Sequence, residues 1–148
     1  MSHVRQQIRE AFGSACTGLT TTGSNVFQSR SYPMETADLP GVCIYSKSEV
    51  SQDLEMGGAG RLVTRTLTIL VEGYARSASN LDDTLDTISA ECEIAIAGSS
   101  AIDALVTDLQ LTSTEIEISG EGDREIGRAT LEYSVVYTTA FNDPETAN

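Results

Sequence analysis

The 148-residue chain has no tryptophan, and its aromatic content of 5% leaves few large side chains for a deep core or a ligand pocket. Small and β-branched residues must therefore do most of the packing. His3 is the only histidine and lies near a terminus, which removes nearly all support for a mechanism using histidine as general base or metal ligand and leads us to expect a surface or disordered side chain there. Lys47 is the only lysine. With 9 basic against 22 acidic residues the net charge is −13, which argues against a face that holds nucleic acid by neutralising phosphates and favours solubility. Cys16, Cys43 and Cys92 are odd in number, far apart and set in apolar patterns, so we expect reduced core residues in a cytosolic setting and neither a disulfide framework nor a zinc site. The opening MSHVRQQIREAF lacks a signal-type apolar run, and nowhere do eighteen apolar residues follow one another, so neither secretion nor a membrane span is expected.

What is present fits one domain over residues 1–148, large enough to bury a single core. Its centre is RLVTRTLTILVEGYAR, residues 61–76. Val63, Leu67, Ile69 and Val71 alternate with Thr64, Thr66, Thr68 and Glu72, the period of a strand with one buried face. Fully extended, this stretch would reach roughly 50 Å, which leads us to expect that part of it projects from the body. The preceding residues 47–60 are polar, acidic and glycine-rich, and predict a flexible hairpin arm.

Around that strand the pattern predicts a first helix to about Cys16, capped by Ser2 and burying Val4, Ile8, Ala11, Phe12 and Ala15. A short strand follows over residues 26–30, then an apolar strand containing Val42, Cys43, Ile44 and Tyr45, the expected antiparallel partner of the centre. Asn80 caps a second helix with Asp82 and Asp83 in its first turn and Leu81, Leu85, Ile88, Cys92 and Ala95 as its buried stripe. In the last third, Leu109 and Leu111 share one parity and Ile116 and Ile118 the other, so a bulge is expected near residues 112–114. Beyond a turn, the final strand points Ala129, Leu131, Tyr133, Val135 and Tyr137 one way, and residues 141–148 read as a frayed tail. The fold expected is α+β: a mainly antiparallel four- or five-stranded sheet, two helices on one face, and a long hairpin arm.

No serine, cysteine or threonine stands in a nucleophile-elbow pattern. GGAG at residues 57–60 is followed by a strand where a phosphate loop requires a helix, so a hairpin tip is expected. The acids Glu121, Asp123 and Glu125 lack the calcium-loop pattern and read as a solvated turn. Pairs such as Glu115 and Glu117, or Asp82 and Asp86, are the carboxylates an enzyme would have to use, and nothing separates them from ordinary surface acids. We expect no enzyme and no cofactor or metal.

The ordered segments VRQQI, TGLTTTGSNVFQSRSYPM, ADLPGVCIY, RTLTILVEGYA, LDDTLDTISAECE and LTSTEIEISGEGDREIGRATLEYSVVYTT resemble those of the tail terminator proteins of long-tailed bacteriophages, of the minor tail protein U type, over about residues 3–140. The resemblance implies a structural subunit of the virion tail, at its head-proximal end and assembled in the host cytoplasm. It implies a hexameric ring that caps the tail tube, ends its polymerisation and presents a surface for head joining. Tail tube protein and a head completion or connector protein are the implied partners, with genomic DNA passing through unbound. A head-to-tail connector of the same ring type is the near alternative, and a small binding module, which would need a concave apolar pocket, is the distant one. On the ring reading, subunit or tube contacts fall to the arm and its flanks, Glu49, Asp53, Glu55, Arg61, Arg65 and Arg76, the arginines meeting carboxylates of a neighbour. Asp82, Asp83 and Asp86 are either an ordinary solvated helix face or an acidic lumen wall that repels DNA.

Overall fold

The computed structural model describes residues 2–28, 40–77, 80–119 and 125–148. The elements in chain order are α1 (Val4–Cys16), β1 (Val26–Phe27), β2 (Gly41–Asp53), β3 (Leu62–Ser77), α2 (Leu81–Ala97), the short α3 (Ser100–Asp103), β4 (Asp108–Ser119) and β5 (Glu125–Ala140). The five strands form one sheet in the order β1-β2-β3-β5-β4. The β2, β3, β5 and β4 neighbours are all antiparallel, and only β1 runs parallel to β2, through Val26↔Val42 and Phe27↔Cys43. Residues 29–30 of the expected first strand and the acids Glu121 and Asp123 lie outside the described residues, as does the side chain of Glu125.

The length of β3 has a different cause from the one its sequence suggests. Rather than projecting, it is paired along its whole length with β5, from Leu62↔Ala140 to Ser77↔Glu125, and from Val63 to Tyr74 with β2 as well. Residues 47–53, expected in the arm, are the second half of β2 and hydrogen-bond to β3 as far as Asp53↔Val63. They need no core of their own, because a strand's backbone groups are satisfied by its neighbour. Only residues 54–61 make the tip.

One face of the sheet carries α1 and α2. Val42, Ile44, Leu67, Ile69, Val71, Leu131, Tyr133, Val135 and Tyr137 meet Ile8 and Phe12 of α1 and Leu85, Ile88 and Ile96 of α2 in a single core. The Phe12 ring meets Tyr133 edge-on, centroids 5.6 Å apart. Where α1 touches α2, the buried Cys16 thiol sits well above its usual pKa range, held by a hydrogen bond with Cys92 and by burial. Helix α2 lies so close to the sheet that glycine is needed beneath it: a Cβ on Gly73 would stand 2.7 Å from Ile88 Cγ2, and one on Gly127 2.7 Å from Leu85 Cδ1.

Two bulges set which residues face the helices. In β4 the register steps between Leu111↔Tyr133 and Ser113↔Glu132, which accounts for the change of parity between Leu111 and Ile116. In β2 the step falls between Ser46↔Ile69 and Ser48↔Thr68, at Lys47. The helix stripes differ from expectation by one residue each: Cys16 is buried beside Phe12 where Ala15 was expected, and Ile96 where Ala95 was. The α1 cap is His3, whose Nδ1 accepts from Arg5 N at 3.0 Å, in place of Ser2. Nor is the tail frayed. Val4 N donates to Pro144 O at 2.8 Å and Asn148 N to Thr138 O at 2.8 Å, while Gln7 Nε2 donates both to Ser2 O and to Glu145 O.

Candidate assembly surface

The hairpin joining β2 to β3 ends in a turn built on Gly57 and Gly58, both at positive φ (72° and 74°), a conformation that glycine adopts without cost. Its sides are tied by Leu54 N to Leu62 O at 2.8 Å and Leu62 N to Glu55 Oε1 at 2.9 Å. Arg61 is the brace of this end. Its guanidinium donates to Gly58 O at 2.9 Å, pairs with Asp53 at 3.4 Å and lies 3.8 Å above the Phe141 ring. Phe141 N in turn donates to Arg61 O, and Asn142 N to Ala59 O, so the tip is anchored to the chain leaving β5. The brace leaves two apolar side chains in water: Leu54 is 59% exposed and Met56 98%.

The residues singled out on the arm therefore separate into three places. Asp53, Glu55 and Arg61 stand together at the tip, within one braced turn. Glu49 and Arg65 lie further down, on the helix side of the sheet, and are joined to each other. Glu49, its side chain only 8% exposed, accepts from Arg5 Nη1 of α1 at 2.7 Å, from Arg65 Nη1 at 3.3 Å and from the Tyr137 hydroxyl. Arg65 Nε donates to Thr139 Oγ1 at 3.1 Å. These two are thus engaged within the chain, tying α1 to three strands, and their carboxylate-guanidinium pairing is intramolecular. Burial and the charges of Arg5 and Arg65 lower the pKa of His3, so the lone histidine, neutral, is an element of the α1 end rather than a loose surface group. Arg76 is exposed at the opposite end of β3.

Asp82, Asp83 and Asp86 are exposed on the outer face of α2, the first two in its opening turn beside the positive end of the helix dipole.

The sheet face without helices holds a cluster that the sequence pattern gave little reason to pick out. Glu72, 8% exposed at its side chain, accepts from the hydroxyls of Tyr45 at 3.0 Å and Tyr74 at 2.9 Å, and Arg128 approaches it at 3.7 Å while also pairing with Glu117. Burial and the bond to Glu72 push the Tyr74 hydroxyl up to about 12. The available signal was a lone carboxylate at an otherwise threonine-rich parity of β3, with Tyr74 two residues further along the same strand and Tyr45 diagonal to it on β2. Each charge is matched by a neighbour, the arrangement of a structural ion-pair network.

Among the described residues no three His, Cys, Asp or Glu side chains come together as a metal would require. No helix is long and apolar enough to cross a membrane. The hollow at the tip, lined by Leu54, Met56 and Arg61 among others, measures about 450 Å³ and is open to solvent.

No family model and no curated protein matches the chain. Among solved structures it is similar to a chain of the "Virion of native gene transfer agent (GTA) particle", at 15% identity, over 90% of this chain and 92% of that one, with a TM-score of 0.37. A likeness of that extent carries no functional argument.

Proposed function

We propose that this chain is a structural protein of a phage-type tail, forming a ring, six subunits on the resemblance, that caps the tail tube, ends its growth and offers the surface to which the head joins. The observation that carries the reading is the braced tip. A turn fixed by Arg61, Asp53 and Phe141 holds Leu54 and Met56 out in water, where each forgoes about 1.5–3 kcal/mol of burial until a partner covers it. An element fixed by its own chain and apolar at its end is suited to docking. The ordered sequence segments that resemble tail terminators give that docking its proposed partner, the last ring of tube subunits.

Within the ring, Asp82, Asp83 and Asp86 would supply an acidic wall along which DNA slides without sticking, and Asp53, Glu55, Arg61 and Arg76 would be contact residues. Polymerising tube protein in the presence of the purified chain tests the reading: tubes of limited length are expected, and a Leu54→Ser/Met56→Ser variant that melts like the parent should leave tubes unrestricted. Tubes of unchanged length with the parent protein would sink the terminator assignment.

A further inference from the structure

The number of helices that a sheet face can carry follows from spacing. Packed helices lie about 8–10 Å apart and strands about 4.8 Å, so one helix covers roughly two strands. Here α1 packs on β1 and β2, and α2 on β3 and β5. β4 is the strand left over. Its residues from 110 to 118 are all exposed, in contrast to β5 beside it, where buried and half-buried residues alternate. Leu109, Leu111, Ile116 and Ile118 lie opposite Val135, Tyr133, Ala129 and Gly127, and so share the helix side of the sheet. The bulge at Thr112 is what keeps all four on that side. Even so, Leu111, Ile116 and Ile118 stay 39%, 50% and 43% exposed.

This apolar strip runs beside α2 for the length of the helix. Ile118 lies next to Gly127, under Leu81 and Leu85 at the start of α2, and Leu109 lines a hollow with Ile96 and Ala97 at its end. Two hollows adjoin there, both lined by Ile96, Ala97 and Leu109. One, of about 200 Å³, reaches Leu111 and Tyr133, and the other, of about 330 Å³, reaches Val106. Among the described residues the charged side chains lining them are Glu93, Asp103 and Asp108, all acidic. The result is a groove with an apolar floor and an acidic rim.

We infer that the groove between α2 and β4 is the docking site for an amphipathic helix of another protein, with an apolar stripe and basic flanks, which completes the helix layer over the sheet.

Shape and charge choose the guest. From Leu109 to Ile118 the strip spans about 30 Å at ~3.3 Å per residue, the length of a helix of about 20 residues at ~1.5 Å each. Apolar side chains recurring at three- and four-residue steps would meet the floor, and lysines or arginines beside them the rim. A second copy of this chain is a poor guest. Each copy carries a charge of −13, α2 has no basic residue, and α1 has only Arg5 and Arg9, the first of them paired with Glu49. The tip around Met56 is no part of the groove, so the inference stands independently of the ring reading.

Fluorescence anisotropy of synthetic peptides of about 20 residues, titrated with the full-length protein, tests it. One peptide carries leucine at helical spacing flanked by lysine, a second has the same composition in scrambled order, and a third has glutamate in place of lysine. The first should bind about tenfold tighter than either of the others, and Ile116→Thr/Ile118→Thr should weaken it about tenfold while melting like the parent. Glu93→Lys/Asp108→Lys should lower affinity for the lysine peptide and raise it for the glutamate peptide, a change of opposite signs that unfolding cannot produce. Leu54→Ser/Met56→Ser should bind the first peptide as the parent does. Equal affinity for the ordered and scrambled lysine peptides, or unchanged binding by the isoleucine variant, would overturn the inference. So would sedimentation in which Ile116→Thr/Ile118→Thr dissolves oligomers of the parent, since the groove would then be a contact between copies.

Discussion

Glu49 sits among two guanidinium groups and a phenol with almost no access to water, and replacing it leaves Arg65 without its charge partner in a half-buried site. Breaking a buried pair from one side costs about 3–5 kcal/mol, and the partial exposure of Arg5 places Glu49→Gln nearer ~2–3 kcal/mol. Urea unfolding measures it, and a loss below about 1 kcal/mol would show that the arginines find water instead. This cluster was hidden from the sequence by one residue. Counting from Tyr45 in strict alternation puts Glu49 on the helix-free side; the bulge at Lys47 moves it to the side of α1. Tyr74 yields a pH prediction. Its folded pKa of about 12 exceeds the ordinary 10, so the protonated form is favoured by folding. The stability it lends is complete below pH 10 and drains away as pH rises towards 12. Tyr74→Phe should fall less steeply over that interval in melting experiments, while Tyr133 and Tyr137, also raised by burial, keep part of the alkaline loss in both proteins. Equal slopes for parent and variant would contradict the assignment.

The elements owe their arrangement to the seam between α2 and the sheet. Gly73→Ala drives a methyl into Ile88 Cγ2, a branch that cannot swing away without moving the helix, and overpacking of this kind costs roughly 1–3 kcal/mol. Gly127→Ala meets the movable end of Leu85 at 2.7 Å and Leu81 at 3.0 Å, in the first turn of α2 where the helix can give, and should cost less. The order of the two midpoints in denaturant decides the point, and a milder Gly73→Ala would mean that α2 shifts freely. Helices and long strands were legible because their apolar residues recur at 3.6 and 2, and the β4 bulge showed as a change of parity. Pairing partners were less so. β1 proved parallel, since its two residues lack any pattern that fixes direction, and residues 47–53 looked like a loop because strand residues as exposed as these need no apolar side chains.

For the whole molecule, a charge of −13 means that copies of the chain repel one another at a distance. On the proposed ring, association should therefore strengthen as salt rises from about 0.01 M to 0.1 M, where the screening length falls from ~30 Å to ~10 Å. Sedimentation velocity across that range is the check, and weaker association with added salt would point to contacts dominated by ion pairs. The α+β plan was readable from the order of elements, whereas the half-exposed Ile116 and Ile118 of β4 depended on how far α2 reaches across the sheet, which spacing alone does not encode. Gln7, which holds Ser2 O and Glu145 O with one amide, has a consequence for how the chain is threaded. Ser2 and Glu145 therefore lie close together, and the backbone between them is nearly a closed circuit. A short peptide could complete it and new ends could be cut between Gly57 and Gly58, giving a permuted chain with the same sheet whose loose ends emerge at the tip instead of beside α1.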